Sequence, residues 1–146
     1  MGNAQNTIVD PRQATVVAYF RAITERRFAD AAALLSPKLT FWISGEGGWP
    51  LGGSRDSNGA RAIHALVNER FPDGLTVTAH GYFISRDGEV AVECETHGNR
   101  RDGRIYNNRY VQIFRVEDGL IVARREYLDT IHANDLLCGE LGPDVQ

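Results

Sequence analysis

The sequence predicts an α+β domain: a strongly curved antiparallel sheet, cone-shaped and open at one end, wrapped around N-terminal helices. Three observations predict it. Helical periodicity is confined to the first half of the chain, and strand patterns fill the second. The strand-rich half turns through two tight hairpin signals, Arg86-Asp87-Gly88 and Glu117-Asp118-Gly119. Helices first and strands later is the order of an α+β fold, with the helices on one face of a sheet.

The elements follow in order. Residues 1–10 read as a loose leader. Asp10-Pro11 starts a helix, with Asp10 as N-cap and Pro11 at the first helical position. The helix is expected to run to about Arg26, because Val16, Tyr19, Phe20 and Ile23 form one apolar stripe. Tyr19 carries the polar handle on that stripe, filling core or pointing into a pocket. A second short helix is expected over Phe28–Leu35, ended by Ser36-Pro37. Leu39–Ser44 is a short strand, with Phe41 and Ile43 facing one way and Trp42 and Ser44 the other.

Gly45–Gly59 is a Gly-rich loop without the Gly-Lys-Ser/Thr of a phosphate loop or a dinucleotide spacing. Its Trp49 suits either a lid over a pocket or a docked surface loop. Ala60–Arg70 is a third helix, and its inward stripe Ala60, Ile63, His64 and Val67 places an imidazole on a buried face. Phe71-Pro72-Asp73-Gly74 stops it. Strands follow over Leu75–Ser85, Val90–Gly98 and the hairpin Tyr106–Thr130. Residues 131–146 form a weakly periodic tail in which Leu136 and Leu137 pack on the body or on a partner.

At 146 residues the chain is one domain, 1–146, with its core over 12–130. Its net charge of −3 argues against a nucleic-acid surface. No apolar run reaches membrane-span length, and no secretory signal opens the sequence, so a cytoplasmic protein is expected. Gly2 gives only weak support to myristoylation. Cys94 and Cys138 are not expected to form a structural disulfide.

Charges interrupt two strands. Arg124 and Glu126 share one strand face, and Arg125 and Tyr127 the other. Glu93, Glu95 and His97 alternate on one face of Val90–Gly98, while Asn107 and Arg109 share a face of the neighbouring strand. Buried charge is costly unless paired, so these groups either gather round a cavity or lie on an outer, solvated or dimer-forming face. The inward reading gives three carboxylates, two guanidiniums and an imidazole, a composition that tunes a Glu for proton transfer. Glu93, Glu95 and His97 lack the second His or Cys pair of a zinc site, so no metal is expected. Cys94 faces away from His97 and no Gly-x-Ser-x-Gly elbow occurs, so a nucleophilic triad has no support.

The helix AYFRAITERRFADAAALLSP leading into LTFWISG, and the ending YNNRYVQIFRVEDGLIVARREYLDT, resemble the SnoaL-like, or ketosteroid-isomerase-like, branch of the nuclear transport factor 2 superfamily. The resemblance covers about residues 12–130. FPDGLTVT, VAVEC, GRIYNNRY and DGLIVARREYLDT look most like the phenazine-biosynthesis A/B proteins. It implies a cystatin-like α+β barrel, usually a homodimer, with a pocket for a hydrophobic or ring-shaped small molecule and no cofactor. Tyr19 matches a helix-1 tyrosine of the ketosteroid isomerases, but Ile43 stands at their catalytic Asp and about Asn107 at their second acid. Glu93-x-Glu95 and Glu126 match acidic positions of the limonene-epoxide hydrolases, whose Arg is missing. Glu126 and His64 match the acid/base Glu and the helix-3 His of the phenazine A/B proteins.

The resulting expectation is a cofactor-independent isomerase, cyclase, dehydratase or hydrolase. In it Glu126 carries the proton and Arg124 pairs with it or holds a substrate anion. Glu95 and His97 tune Glu126, and Tyr19, Trp42, His64, Glu93, Asn107 and Arg109 line or orient the substrate. The alternative is a non-catalytic binding module or a dimeric scaffold, with no nucleic-acid or membrane partner in any of these readings.

Overall fold

The computed structural model describes residues 9–145. The leader proper and the Gly2 position lie outside them. Helix α1 spans Pro11–Thr24, and the Asp10 side chain accepts the Arg12 backbone N–H at 2.8 Å. Val16, Tyr19 and Phe20 are buried on its inner stripe. At its end, Thr24 accepts the Val77 backbone N–H across 3.0 Å, which ties the helix to the sheet.

Helix α2 covers only Phe28–Ala33, shorter than its composition suggests. The reason lies in the sheet. The Leu34 carbonyl accepts the Ile121 N–H at 2.8 Å, and Leu35 enters strand β1 (Leu35–Ile43) beside Ile121. Ser36-Pro37 therefore sits within a strand instead of ending a helix. The Gly-rich loop contains a short strand β2 (Gly53–Arg55). Helix α3 runs Ser57–Arg70, starting three residues earlier than expected because Asp56 caps it through the Gly59 N–H. Strands β3 (Thr76–Ile84), β4 (Val90–Asn99), β5 (Ile105–Glu117) and β6 (Leu120–Leu128) complete the sheet.

The strand order is β2-β1-β6-β5-β4-β3. Every pairing is antiparallel except β1 with β6, which is parallel. The all-antiparallel expectation fails at this one seam, where a long crossover through β2, α3 and strands β3 to β5 returns the chain beside β1. The sheet is curved and unclosed, with α1 and α3 packed on its concave side. Asp118 (φ 51°) and Gly119 (φ 75°) both take positive φ in the β5–β6 turn, as a two-residue hairpin with right-handed twist requires.

A bulge in β6 sets the parity of the site. Val116 pairs with Ile121 but Arg115 pairs with Ala123, so Val122 is the extra residue. Ile121 points into the core before the bulge, and the inward positions after it are Arg124 and Glu126. A strict alternation from Ile121 would have turned both outward.

The tail folds back on the body through a short helix, α4 (Thr130–Ala133), and a π-turn over Asn134–Cys138 that buries Leu136 and Leu137. Arg100, buried with Asp102 in a 2.5 Å ion pair, donates to the Leu136 carbonyl at 3.0 Å and the Glu140 carbonyl at 3.2 Å. Asp102 in turn accepts the Gly142 N–H at 2.9 Å. Among the described residues no helix is long and apolar enough to cross a membrane.

Candidate active site

The concave side of the sheet and the helices enclose a cavity of about 780 Å³ including its open mouth. Its walls are apolar: Phe20 and Ile23 from α1, Phe28 at the mouth, Ile63 and Val67 from α3, and Leu75 and Val77 at the start of β3. The polar groups come from the sheet and two helices: Tyr19, His64, Asn68, Thr96, Tyr110, Gln112, Arg124 and Glu126.

Arg124 organises that group. Its Nε donates to Gln112 Oε1 at 3.0 Å, one terminal nitrogen donates to the Tyr19 hydroxyl at 2.9 Å, and the other pairs with Glu126 Oε1. The guanidinium carbon also lies 4.9 Å from the Phe41 ring centre and 5.6 Å from that of Phe114. Burial opposes its charge, but Tyr19 and Glu126 outweigh burial and raise its pKa. Arg124 therefore stays charged and holds three acceptors in fixed places. Among the described residues no donor reaches Glu126 Oε2, although the residue is 8% exposed and lines the cavity.

His64 lies on the facing wall. Burial, with the Arg124 charge adding to it, lowers its pKa to about 4, so it is a neutral imidazole near neutral pH. Gln112 donates to the Cys94 sulfur at 3.6 Å. Burial, reinforced by Glu126, pushes the Cys94 thiol up to about 11, far from a reactive thiolate.

Four sequence-derived site residues meet here: Tyr19, His64, Arg124 and Glu126. The others do not. Glu93, Glu95 and His97 lie on the outer face of β4, because Val92, Cys94 and Thr96 take the buried positions. Asn107 and Arg109 lie outward on β5, where Asn108, Tyr110 and Gln112 are buried. The physical reason is cost: these charges are solvated outside and paired across strands, Glu93 with Arg109 at 3.8 Å and Glu95 with His80 at 3.1 Å. The His80 hydrogen bond lowers the Glu95 pKa, so Glu95 favours its charged form on that surface. Trp42 is also outside, its ring 5.1 Å from Tyr127. Trp49 is docked, its indole N–H donating to the Ser44 carbonyl at 2.8 Å, and it does not line the cavity as a lid would.

The inward polar residues Thr96, Tyr110 and Gln112 did not enter the sequence-derived site. The signal existed: they share strand parity with Val92 and Phe114, both fully buried. Among the described residues no group of three His, Cys, Asp or Glu side chains converges as a metal site would.

Comparison with known proteins agrees with this architecture. No curated protein matches the sequence. An NTF2-like protein of unknown function from Burkholderia pseudomallei is 19% identical, with a TM-score of 0.74 over 88% of this chain and 98% of that one. TerC, crystallised with polyporic acid, is 18% identical, with a TM-score of 0.73 over 88% and 98%. IdmH from Streptomyces antibioticus, a candidate polyketide cyclase, is 22% identical, with a TM-score of 0.70 over 90% and 98%. At these identities the likeness is one of fold. A family model for the SnoaL-like domain matches residues 16–124, most of the chain, and the protein belongs to that family.

Proposed function

We propose that this protein binds a hydrophobic or ring-shaped small molecule in the cavity and acts on it by general acid–base chemistry. The reaction is of the isomerase, cyclase or dehydratase type and needs no cofactor. The observation that carries the reading is Glu126. One carboxylate oxygen is fixed by Arg124, and the residue lines a largely apolar cavity in which no described donor reaches the other oxygen. A positioned carboxylate of this kind can take a proton from a carbon acid and return it elsewhere. Neutral His64 on the facing wall is placed to orient or relay. The candidate cyclase among the structural neighbours, and TerC crystallised with polyporic acid, favour a polyketide-like or aromatic ligand.

The test is a thermal-shift screen with steroids, terpenes and aromatic polyketides, followed by turnover assays on each hit. Glu126→Gln should lower kcat by about 10²–10⁴-fold while ligand binding persists. Near-normal turnover removes Glu126 from the mechanism. A ligand that binds and is recovered unchanged supports the second reading, a binding module, which the charge pairing of Glu126 also favours.

The proposal extends to a homodimer through the outer sheet face. Val111 and Tyr127, opposite each other across β5 and β6, are 41% and 43% exposed. Trp42 and Ile113 flank them, and Glu93, Arg109 and Arg125 ring the patch with both signs of charge. Val111→Glu should convert a dimer to a monomer in sedimentation equilibrium. A wild-type monomer at micromolar concentration would remove this part.

A further inference from the structure

We infer that Tyr110 presents a directed hydroxyl donor to the ligand, fed by Asn108 and Tyr106, and that the ligand carries a carbonyl or phenolate oxygen. This rests on the small-molecule reading of the cavity and names the ligand chemistry. The argument counts hydrogens. The Asn108 amide orientation is fixed by Asp129: its Nδ2 donates to the Asp129 carbonyl at 2.9 Å, and its Oδ1 accepts the Asp129 N–H at 3.3 Å. The second Nδ2 hydrogen then goes to the Tyr106 hydroxyl at 3.1 Å. Tyr106 and Tyr110 bond to each other through their hydroxyl oxygens.

That hydroxyl pair holds two hydrogens but uses only one in bonding within itself. The second hydrogen has no acceptor among the described residues. If Tyr110 donated, the idle hydrogen would sit on Tyr106. Tyr106 is 0% exposed, with the Phe71 ring 5.9 Å away and His132 stacked at 5.2 Å. A buried hydroxyl hydrogen without a partner is costly. If Tyr106 donates, the idle hydrogen is on Tyr110, which lines the cavity and can meet water or ligand. The chain therefore runs Asn108 to Tyr106 to Tyr110 to the cavity, each bond polarising the next.

Burial holds both phenols in the protonated form, with pKa values above the ordinary tyrosine range. Tyr110 is thus a donor and not an anion. It faces the same space as Glu126, so an oxygen bonded to Tyr110 lies in the cavity that holds the proton carrier. Such a donor stabilises negative charge that develops on a carbonyl oxygen when a neighbouring carbon loses a proton. Asn108 and Tyr106 touch no ligand and are positioning residues.

Two measurements test this. Tyrosine labelled at Cζ with carbon-13, in mixed light and heavy water, separates slowly exchanging hydroxyls from fast ones. Phe variants assign the five tyrosines. Slow exchange at Tyr106 with fast exchange at Tyr110 in the empty protein supports the chain. Slow exchange at Tyr110, or fast exchange at Tyr106, overturns it.

The second measurement compares 2-acetylnaphthalene with 2-ethylnaphthalene, which lacks the oxygen. Wild type should prefer the ketone, and Tyr110→Phe should erase about 3- to 10-fold of that preference without weakening the hydrocarbon. The carbonyl stretch of the bound ketone should move to lower frequency in wild type, less in Tyr106→Phe and not at all in Tyr110→Phe. An unchanged stretch across all three refutes the donor. Failure of both naphthalenes to bind counts against the ring-binding reading, while the exchange pattern still decides the donor.

Discussion

Replacing Arg124 by leucine isolates the interaction that holds the candidate site together. The substitution removes the donor to Glu126, Gln112 and the Tyr19 hydroxyl at once. The two charged side chains are only 11% and 10% exposed, so water replaces the guanidinium only in part. Breaking one partner of a buried pair costs roughly 3–5 kcal/mol, mostly from stranding the other charge. That is a large share of the roughly 5–15 kcal/mol that holds a domain folded. The double variant Arg124→Leu/Glu126→Leu strands no charge, and its loss should be much the smaller. Urea unfolding of wild type, both single variants and the double variant near neutral pH measures the coupling. Additive losses, or a deficit below about 1 kcal/mol, would mean that solvent screens the pair as it does on a surface. The site geometry would then not depend on Arg124.

Two further outcomes follow. His64 is lowered from 6.5 to about 4 by burial and Arg124. Between those values the unfolded chain binds the proton and the native state does not, so stability is lost as pH falls from about 6.5 towards 4. The loss is at most about 3 kcal/mol. His64→Asn should flatten that limb of the stability profile, and an unchanged limb would place the imidazole in solvent. Arg100→Met removes the donor to the tail carbonyls of Leu136 and Glu140 and strands Asp102. Hydrogen exchange should then lose protection over residues 134–142 first, with the cavity strands still protected, and uniform loss would mean the tail and sheet unfold as one unit.

The fold was legible because its signals are local. Asp10-Pro11 starts α1, the Val16 to Ile23 stripe buries it, and Asp118-Gly119 closes the last hairpin. Leu35 was not legible as strand, since its partner Ile121 is remote in sequence and sits across a parallel seam that no local pattern announces. The Glu93, Glu95 and His97 face misled because cross-strand register is also non-local. The sequence alternates charged with apolar residues, but does not show that Glu95 falls opposite Arg109 and near His80.

The two charged stretches differ in a way that physical cost explains. On β4 the apolar alternative, Val90, Val92 and Cys94, is available for the core, and turning it inward leaves every charge in water. On β6 the bulge at Val122 turns Arg124 and Glu126 inward although Ala123, small and uncharged, stands just before them. A strand that kept Val122 in strict alternation would have offered Ala123 and Arg125 to the core and left Arg124 and Glu126 outside. An inserted residue that turns an ion pair into a cavity gains nothing in stability over an apolar pair. It does fix a carboxylate oxygen, a neutral imidazole wall and a phenol donor around one space. Deleting Val122 should remove the bulge and leave Arg124 and Glu126 on the Ile121 face, because Arg124 then follows Ile121 at ordinary strand spacing. Ala123 and Arg125 stay outward as strict alternation requires, so stability and ligand binding should both survive in the shortened strand. Lost binding in a folded variant would show that the bulge itself, and not alternation alone, aims Arg124 and Glu126 at the cavity.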